Sequence, residues 1–439
     1  MPSCMYQRLT KAFSVSSIIA AGLFSAVSAQ TNTENFAQFR FNFNNPGARA
    51  TGIGGAFISV ADDATAAEAN PAGLTAIIRP ELSFEIKGIE FNQKVDNFSH
   101  TGTAASYTVD SKDFKASVVS PSFASIAVPL NRFTFSAFRY ELVNFQSAFY
   151  TKGSFVTPLT DGSSFFPVKA DNRLNVVNWG NAIAYKFNEH VSFGVSGGVS
   201  TVSMTSNLTR YLLEVFTPGT VASTATIDDN DFNFFLNAGI LFKPRENLSI
   251  GAIYKRRPEF KLKHSFLVAN TPNDSVTVKT INFNIPSSMG IGISYRPLDA
   301  LTISFDAVRV RYSQLTDDFV LTVSEQYTQP GDFKVDDGME YHGGAEYVLF
   351  FRSVAFVLRA GLYTEPDNRI RWVGNIHDSS NPDRIFARQT QAALFQGGDS
   401  YVHTTFGLGI VFSNSFQLDV AGNLSPVVKE VVGSFVVRM

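Results

Sequence analysis

Histidine, the side chain whose charge changes most readily near neutral pH, occurs only six times in this 439-residue chain. Among its six histidines, His403 follows Ser400 closely, and Asp399 is nearby. A serine–histidine–aspartate site needs the three side chains to form a chain of hydrogen bonds around one reacting atom. Residues this close together on an extended strand usually cannot take up that arrangement. We therefore interpret His403 as a polar residue of a lumen or rim, and we predict no enzyme.

A glycine-rich stretch near the N-terminus resembles a nucleotide-binding loop only superficially. A G-x-G-x-x-G pattern that starts at Gly52 needs a sixth-position glycine, and Phe57 stands there. No Lys-Ser/Thr pair completes a phosphate-binding loop either. The formal net charge of −2 leaves no electrostatic footprint for nucleic acid. The sequence thus predicts no nucleotide, metal or other cofactor and no nucleic-acid partner.

The first 29 residues have the order of a secretory signal peptide. Arg8 and Lys11 form a basic start, residues 12–27 are mostly apolar, and Val27-Ser28-Ala29 offers small residues for cleavage. A membrane-spanning helix is the alternative, but four serines dilute the apolar stretch. The one cysteine, Cys4, lies inside this segment. The mature chain is then expected to have no disulfide, thiolate metal site or cysteine nucleophile.

The composition of the rest favours a membrane barrel over soluble domains. The chain contains 42 Phe, 14 Tyr and 31 Gly, and 44% of its residues are hydrophobic. Beyond the signal, no apolar run is long enough to cross a bilayer as a helix. Only alternate residues of a barrel strand meet lipid, so average hydropathy stays near neutral. An exported chain with this composition is expected in the bacterial outer membrane.

Alternating residues indicate the strands, and short turns indicate how many there are. Residues 191–199, 402–412 and 416–424 each place apolar residues on one face and polar or small residues on the other. Short turn signals recur at nearly even intervals, at residues 129–131, 188–190, 244–247, 297–299, 351–352 and 413–415. Six turns join twelve strands, and strands near 81–92 and 428–439 make fourteen. Tight turns on one side and longer loops on the other are typical of outer-membrane barrels.

The sequence therefore predicts an all-β protein, a 14-stranded antiparallel transmembrane β-barrel with a short helical N-terminal hatch in its lumen. Its predicted division is a signal peptide at 1–29, a hatch at 30–80 and a barrel at 81–439. The longer loops are predicted at residues 93–118, 147–171, 207–230, 263–278, 315–337 and 365–400.

The segment before the barrel does not alternate. Residues 45–47 predict a turn, and a helix is expected to start at Asp62 or Asp63 and to run to Ala69, with the aspartate as its cap. Asn70-Pro71 should end this helix, because the proline ring disfavours helical geometry at the preceding residue. Rich in glycine and alanine, the segment suits a crowded lumen.

The same segment carries a family resemblance. Residues 45–50 (NPGARA), 52–57 (GIGGAF), 61–64 (ADDA) and 70–74 (NPAGL) look like the N-terminal signature of the FadL/TodX family of outer-membrane transporters. The resemblance implies a monomeric fourteen-stranded barrel closed by a hatch, which takes up long-chain fatty acids or aromatic hydrocarbons. It also implies a lateral exit through the wall, with Asn70, Pro71 and Ala72 near that opening. Gly52, Gly54 and Gly55 are its hatch glycines.

The sequence is compatible with more than one function. PorV-like relatives share the signature and serve protein secretion, so an adaptor of a secretion system is the alternative to a transporter. A general porin is disfavoured, since a hatch would obstruct free diffusion. Expected partners are hydrophobic small molecules, outer-membrane lipid and lipopolysaccharide, and the outer-membrane assembly machinery during biogenesis. Passive transfer down a gradient is the simplest mechanism.

Overall fold

The computed structural model describes most of the chain after residue 42. The described ranges are 43–100, 107–151, 157–159, 162–164, 167–211, 219–268, 276–317, 329–377, 397–413 and 415–439, with isolated positions between 380 and 395. The predicted signal peptide, the first residues of the predicted hatch and Asn414 lie outside them.

Fourteen long strands form one closed antiparallel barrel, and two separate two-stranded sheets pair Thr157–Leu159 with Gly162–Ser164 and Phe333–Lys334 with Arg371–Trp372. In chain order they are β1 Glu81–His100, β2 Tyr107–Leu130, β3 Phe133–Thr151, β4 Val168–Lys186, β5 Val191–Tyr211, β6 Val221–Arg245, β7 Leu248–Arg256 with Glu259–Val268, β8 Val276–Asn284 with Ser288–Leu298, β9 Leu301–Val310, β10 Gly338–Phe351, β11 Val354–Glu365, β12 Tyr401–Phe412, β13 Phe416–Leu424 and β14 Val428–Arg438. Each strand pairs with its neighbours in the chain, and β14 pairs with β1 from Glu81↔Arg438 to Phe91↔Val428. The prediction of fourteen strands is confirmed.

The tight turns occur where the sequence predicted them. Three contain a non-glycine residue with a positive φ: Asn131 (56°), Arg352 (56°) and Ser413 (49°). A left-handed residue lets a short connection reverse the chain while keeping the twist of the strands. The turns all follow even-numbered strands, so they lie at one end of the barrel.

Four of the six long loops are shorter than predicted, because the strands continue past the expected boundaries, whereas the connections predicted at 315–337 and 365–400 agree within a few residues. The predicted loop 93–118 is mostly a hairpin, in which β1 and β2 stay paired up to His100↔Tyr107. Likewise β3 runs to Thr151 and β5 to Tyr211. Polar residues outnumber apolar ones in these extensions, so the alternating apolar pattern ends before the hydrogen bonding between the strands does. Sequence patterns therefore marked the apolar part of each strand rather than its full length.

Two strands are interrupted, which the sequence analysis did not predict. β7 stops at Arg256 and resumes at Glu259, and β8 stops at Asn284 and resumes at Ser288. Pro258 and Pro286 lie in the two gaps. Proline has no backbone N–H, so it cannot donate to the ladder inside a sheet. The two interruptions lie side by side, because β7 and β8 are neighbours.

The barrel exposes its apolar face and buries its polar one. On β12, Phe406 and Leu408 are 57% and 63% exposed, whereas His403 and Thr405 are 1% exposed. This is the reverse of a soluble protein and fits an outer surface in contact with lipid. Within the described ranges, no helix has the length and hydropathy needed to cross a membrane.

The residues before β1 form a compact element inside the barrel, which we call the hatch (residues 43–80). It contains helix α1 (Ala48–Gly52), helix α2 (Ala66–Ala69) and a 3-10 helix at Pro71–Ala76. The expected start at Asp62 or Asp63 was wrong: α2 begins at Ala66. Asp63 Oδ1 instead accepts the backbone N–H of Thr65, 2.9 Å away, in a turn that delays the helix. As predicted, the helix ends before Pro71, with Asn70 extended at φ −151°.

Candidate functional site

Glycines of the barrel wall make room for the hatch. Gly194 on β5 and Gly239 on β6 are directly paired. A Cβ on Gly194 would lie 2.2 Å from the carbonyl carbon of Pro71, and one on Gly239 would lie 2.0 Å from Oδ1 of Asn70. Any larger residue here would displace the hatch. The predicted site residues Asn70, Pro71 and Ala72 therefore lie against β5 and β6.

The predicted hatch glycines serve the same close fit from the other side. Gly54 and Gly55 have φ values of +68° and +76°, which side chains rarely adopt, and a Cβ on Gly54 would lie 2.7 Å from the backbone nitrogen of Leu362. Gly52 faces the wall glycine Gly407, whose Cα would be 3.1 Å from an added Cβ. A Cβ on Gly55 would lie 2.9 Å from Nδ1 of His342 on β10, so the three glycines bring the hatch backbone against β10, β11 and β12.

We expect Gly239→Val to loosen the hatch while leaving the barrel intact. The added side chain overlaps Asn70, and overpacking of this kind costs about 1–3 kcal/mol. Proteolysis of the hatch in purified protein, followed by mass spectrometry, measures the effect. Gly433→Val on β14 is the matched control, since no atom of the described chain lies within 4 Å of its added Cβ. Equal resistance of the two variants to proteolysis would contradict this assignment.

A buried ion cluster holds helix α2. Glu68, fully buried, lies 2.9 Å from Nη2 of Arg257 and 3.6 Å from Nζ of Lys255, both on or beside β7. Asn237 on β6 donates to Glu68 at 3.0 Å. Removing one partner of a buried ion pair leaves an uncompensated charge and costs about 3–5 kcal/mol. This cluster thus ties the hatch firmly to one side of the wall.

A second cluster holds the hatch on the opposite side. Arg49 of α1 contacts Glu346 on β10 at 2.9 Å, and Arg359 on β11 joins the same carboxylate at 2.6 Å. Arg49 also pairs with Asp62. Burial raises the pKa of the Asp63 carboxyl, against the opposing effect of the nearby Arg49 charge. The hatch is therefore held by charge at two separated points.

Backbone groups of the hatch are also paired with wall side chains. Ile58 N–H donates to Asp306 at 2.8 Å, Gly54 C=O lies 2.8 Å from Nδ1 of His342, and Gly47 N–H donates to Glu85. A hatch with buried backbone groups needs such partners, since an unpaired one costs free energy. These contacts come from two parts of the wall, since Asp306 and His342 are paired on the neighbouring strands β9 and β10 and Glu85 is on β1.

The structure pairs His403 with residues other than Ser400. Nε2 of His403 lies 2.8 Å from Glu365, and Nδ1 lies 3.2 Å from Asn423. The Ser400 hydroxyl instead accepts a hydrogen bond from the backbone of Asp367. The predicted lumen position of His403 agrees with its 1% exposure. Among the residues that the structure describes, no cluster of histidine, cysteine and carboxylate side chains could hold a metal ion.

The lumen on the far side of the hatch from the tight turns is apolar. Buried side chains from β4 to β8 form one hydrophobic cluster with others from β1 and β3: Phe91, Leu142, Phe145, Leu174, Val176, Val202, Met204, Ile227, Phe260, Leu262 and Ile281. Inward positions of outer-membrane barrels are usually polar. An apolar lining is therefore a specific feature of this lumen, which sequence patterns could not assign because any apolar residue could equally have faced lipid.

The apolar cluster reaches a gap in the wall between β2 and β3. These strands pair only from Leu130↔Phe133 to Phe123↔Tyr140. Beyond Tyr140 towards the long loops, β3 is paired only with β4, and beyond Phe123 in the same direction β2 is paired only with β1. Over their described residues, the two strands therefore have no backbone hydrogen bonds to each other in this part of the wall. Here side chains replace the ladder, with the Ser120 hydroxyl donating to Glu141 at 2.6 Å.

Aromatic side chains line the lumen beside this gap. The Phe123 ring centroid lies 6.4 Å from that of Phe138 and 6.3 Å from that of Tyr140. Phe138 contacts Phe235 on β6, at 6.1 Å. The gap begins beside Pro121, where β2 also bulges against β1. Its signal in the sequence, a proline within an alternating strand, was not used in the prediction.

On the outer surface, a groove of about 730 Å³ runs across the wall below the gap. It is lined mainly by apolar groups, among them Phe84, Ala124, Ala137, Trp179 and Phe435. The described chain thus has apolar surfaces on both faces of the wall at the β2–β3 gap.

The fold is similar to solved transport proteins. The structure superposes on a TodX deletion mutant described as a monoaromatic hydrocarbon channel with a TM-score of 0.62, at 16% identity, over 91% of this chain and 100% of that one. For the Pseudomonas putida toluene transporter TodX the TM-score is 0.59 at 15% identity, over 91% of this chain and 99% of that one. For a Pseudomonas aeruginosa FadL homologue the TM-score is 0.58 at 14% identity, over 92% of this chain and 97% of that one. At these identities the likeness shows the fold.

The family follows from the sequence itself. No curated protein matches the chain. The model of the family described as outer membrane protein transport protein (OMPP1/FadL/TodX) matches residues 24–368, which is most of the chain. Together with the barrel and its apolar outer face, this match places the protein in the bacterial outer membrane. The chain belongs to the OMPP1/FadL/TodX family of outer-membrane transport proteins.

Proposed function

We propose that this protein takes up hydrophobic compounds, such as long-chain fatty acids or aromatic hydrocarbons, passively and as a monomer. The observation that carries the proposal is the apolar lining of the lumen on the side of the long loops. A water-filled pore would gain nothing from Leu174, Met204 or Leu262 at buried inward positions. Apolar surface attracts a hydrophobic ligand by about 25 cal/mol per Å² buried.

The hatch makes a straight passage unfavourable. Ion pairs at Glu68 and Arg49 hold it at two sides of the wall, so expelling it would break several buried contacts at once. A ligand that has entered the apolar lumen then meets the β2–β3 gap, where side chains alone close the wall. We propose that it leaves sideways there, into the outer groove and the bilayer. This route keeps an apolar molecule out of water throughout.

Gating is assigned to the segment Asn70–Ala76. It contacts the wall through few polar groups, chiefly Thr75 to Ser192 at 2.8 Å and Asn70 to the carbonyl of Ile240 at 3.4 Å. A 3-10 helix also has poorer hydrogen-bond geometry than an α-helix. The segment therefore rearranges at lower cost than the ion-paired remainder of the hatch, which stays in place.

Uptake measurements test the proposal. Cells that lack their own transporter and express this protein should accumulate labelled oleate or toluene faster than cells with an empty vector. Met204→Gln should slow uptake about fivefold, because a ligand passing it loses roughly 40 Å² of apolar contact. Met204→Leu keeps the volume and polarity and should transport normally. Uptake no faster than the vector control would reject the proposal and favour the secretion adaptor.

A further inference from the structure

The interruptions of β7 and β8 create a second irregular place in the wall. A cavity of about 290 Å³ lies there, where Arg257-Pro258 and residues 285–287 leave the strands apart. Ile285 N–H still donates to the carbonyl of Pro258, at 3.1 Å, and so ties the two interruptions together. Unlike the groove beside β2 and β3, this cavity is lined mostly by polar groups.

Three arginines line the cavity at different depths. Arg257 is buried, while Arg256 and Arg311 are exposed. Two exposed carboxylates, Glu259 and Asp317, also line it. The guanidinium groups outnumber the carboxylates, and the most deeply buried charge is positive. The cavity is therefore suited to an anion.

The buried arginine has donor capacity left over. Nη2 of Arg257 donates to Glu68 of the hatch, at 2.9 Å. Nη1 of the same side chain is buried and has no hydrogen-bond partner within the described residues. A buried donor without a partner costs about 1–3 kcal/mol, and a charged one more. An oxyanion in the cavity would remove that cost, since guanidinium binds carboxylate and phosphate with paired N–H donors.

The position of the cavity indicates which molecules meet it. Arg256 is the last residue of a nine-residue segment that starts next to a tight turn. At about 3.4 Å per residue and a tilt near 40°, it lies roughly 23 Å above that turn, close to the height of the apolar band of such barrels. Phe234 and Tyr254 line the cavity from the exposed outer face, as residues of an aromatic girdle would. The cavity is thus at the level of the outer-leaflet head groups.

We propose that this cavity is a binding site for the oxyanion head group of an amphiphile, with Arg256, Arg257 and Arg311 as its donors. The head group is a carboxylate or a phosphate. If the head group is a carboxylate, the ligand is a fatty acid, and this case rests on the proposed uptake function. If the head group is a phosphate, the ligand is a lipid of the outer leaflet, and this case does not depend on transport.

Binding to the purified full-length protein in a non-ionic detergent tests the site. Oleate should bind about tenfold more tightly than its uncharged methyl ester, because only oleate makes charge-assisted hydrogen bonds. In the double variant R256Q/R311Q this ratio should fall about threefold, because Arg257 remains as a donor, with methyl oleate binding unchanged. Arg257 is left in place because it also holds Glu68. R296Q is the matched control, since Arg296 donates to the carbonyl of Glu246 at the tight-turn end of the barrel.

A second titration separates the two sources. Diphosphoryl lipid A and its dephosphorylated form replace oleate and methyl oleate on the same proteins. A phosphate-dependent affinity that R256Q/R311Q weakens identifies the outer-leaflet lipid, and a carboxylate preference alone identifies the fatty acid. If the double variant changes neither preference, or the wild type has neither, the site is rejected. Toluene uptake, which involves no head group, reports separately on the transport function.

Discussion

Deletion of residues 31–75 is expected to turn the selective channel into a leaky one. The deletion removes both helices and most of the 3-10 helix, and with them Arg49 and Glu68, while keeping the predicted cleavage site and β1. A fourteen-stranded barrel without its plug leaves an aqueous channel through the lumen. We expect single-channel conductance in planar bilayers to rise by at least about tenfold. Cells should also become sensitive to large antibiotics that the outer membrane normally excludes.

The control for this deletion must show that the barrel still forms. Heat-modifiable migration of the protein in electrophoresis reports on barrel closure, and a variant that fails it says nothing about the hatch. E68Q serves as a milder companion, because it weakens one ion cluster but leaves the hatch in the lumen. A folded deletion variant with wild-type conductance would show that the hatch does not obstruct the lumen.

A disulfide between positions 75 and 192 is expected to stop hydrophobic uptake. The hydroxyl oxygens of Thr75 and Ser192 lie 2.8 Å apart, so cysteines at these positions are within reach of a bond. The bond fixes the proposed gating segment to β5. We expect oxidised T75C/S192C to take up labelled oleate at least about tenfold more slowly, since the open state is no longer populated. A reducing agent should restore the rate.

Two matched proteins make this result interpretable. Each single cysteine variant receives the same oxidation, and neither should lose uptake. The native sequence adds no competing thiol once the predicted signal peptide, which contains Cys4, is removed. Wild-type uptake by the fully oxidised double variant, with the bond verified by mass spectrometry, would mean that the hatch is a static obstruction. The lateral route between β2 and β3 would then have to work without movement at Pro71–Ala76.

The interruptions of the wall show where a sequence signal existed but was not recognised. Pro121, Pro258 and Pro286 all lie within strand-like patterns, and each marks a place where the ladder fails. A proline inside a strand should be read as an edge or a break. The proline itself does not determine which kind of surface lies beside the break. Pro121 lies by an apolar groove and Pro258 by a polar cavity, and that difference depends on residues far away in the chain.

The hatch shows a similar division between local and distant effects. The end of α2 before Pro71 is a local steric consequence, and it was predictable. The delayed start of α2 depends on the turn that Asp63 makes with Thr65. Arg257, which pairs with Glu68, and Glu346, which pairs with Arg49, lie 189 and 297 residues away in the chain, and no periodic pattern connects them.

By itself, the sequence determined the barrel, the number of its strands, the ends joined by tight turns and the family. These depend on features repeated along the chain, namely period-two alternation, short turns and a local signature, and each can be read within a few residues. Only the tertiary structure decided which apolar residues face inward, where the wall opens and what holds the hatch. Alternation separates two faces of a strand, but closure of the barrel decides what each inward residue meets across the lumen.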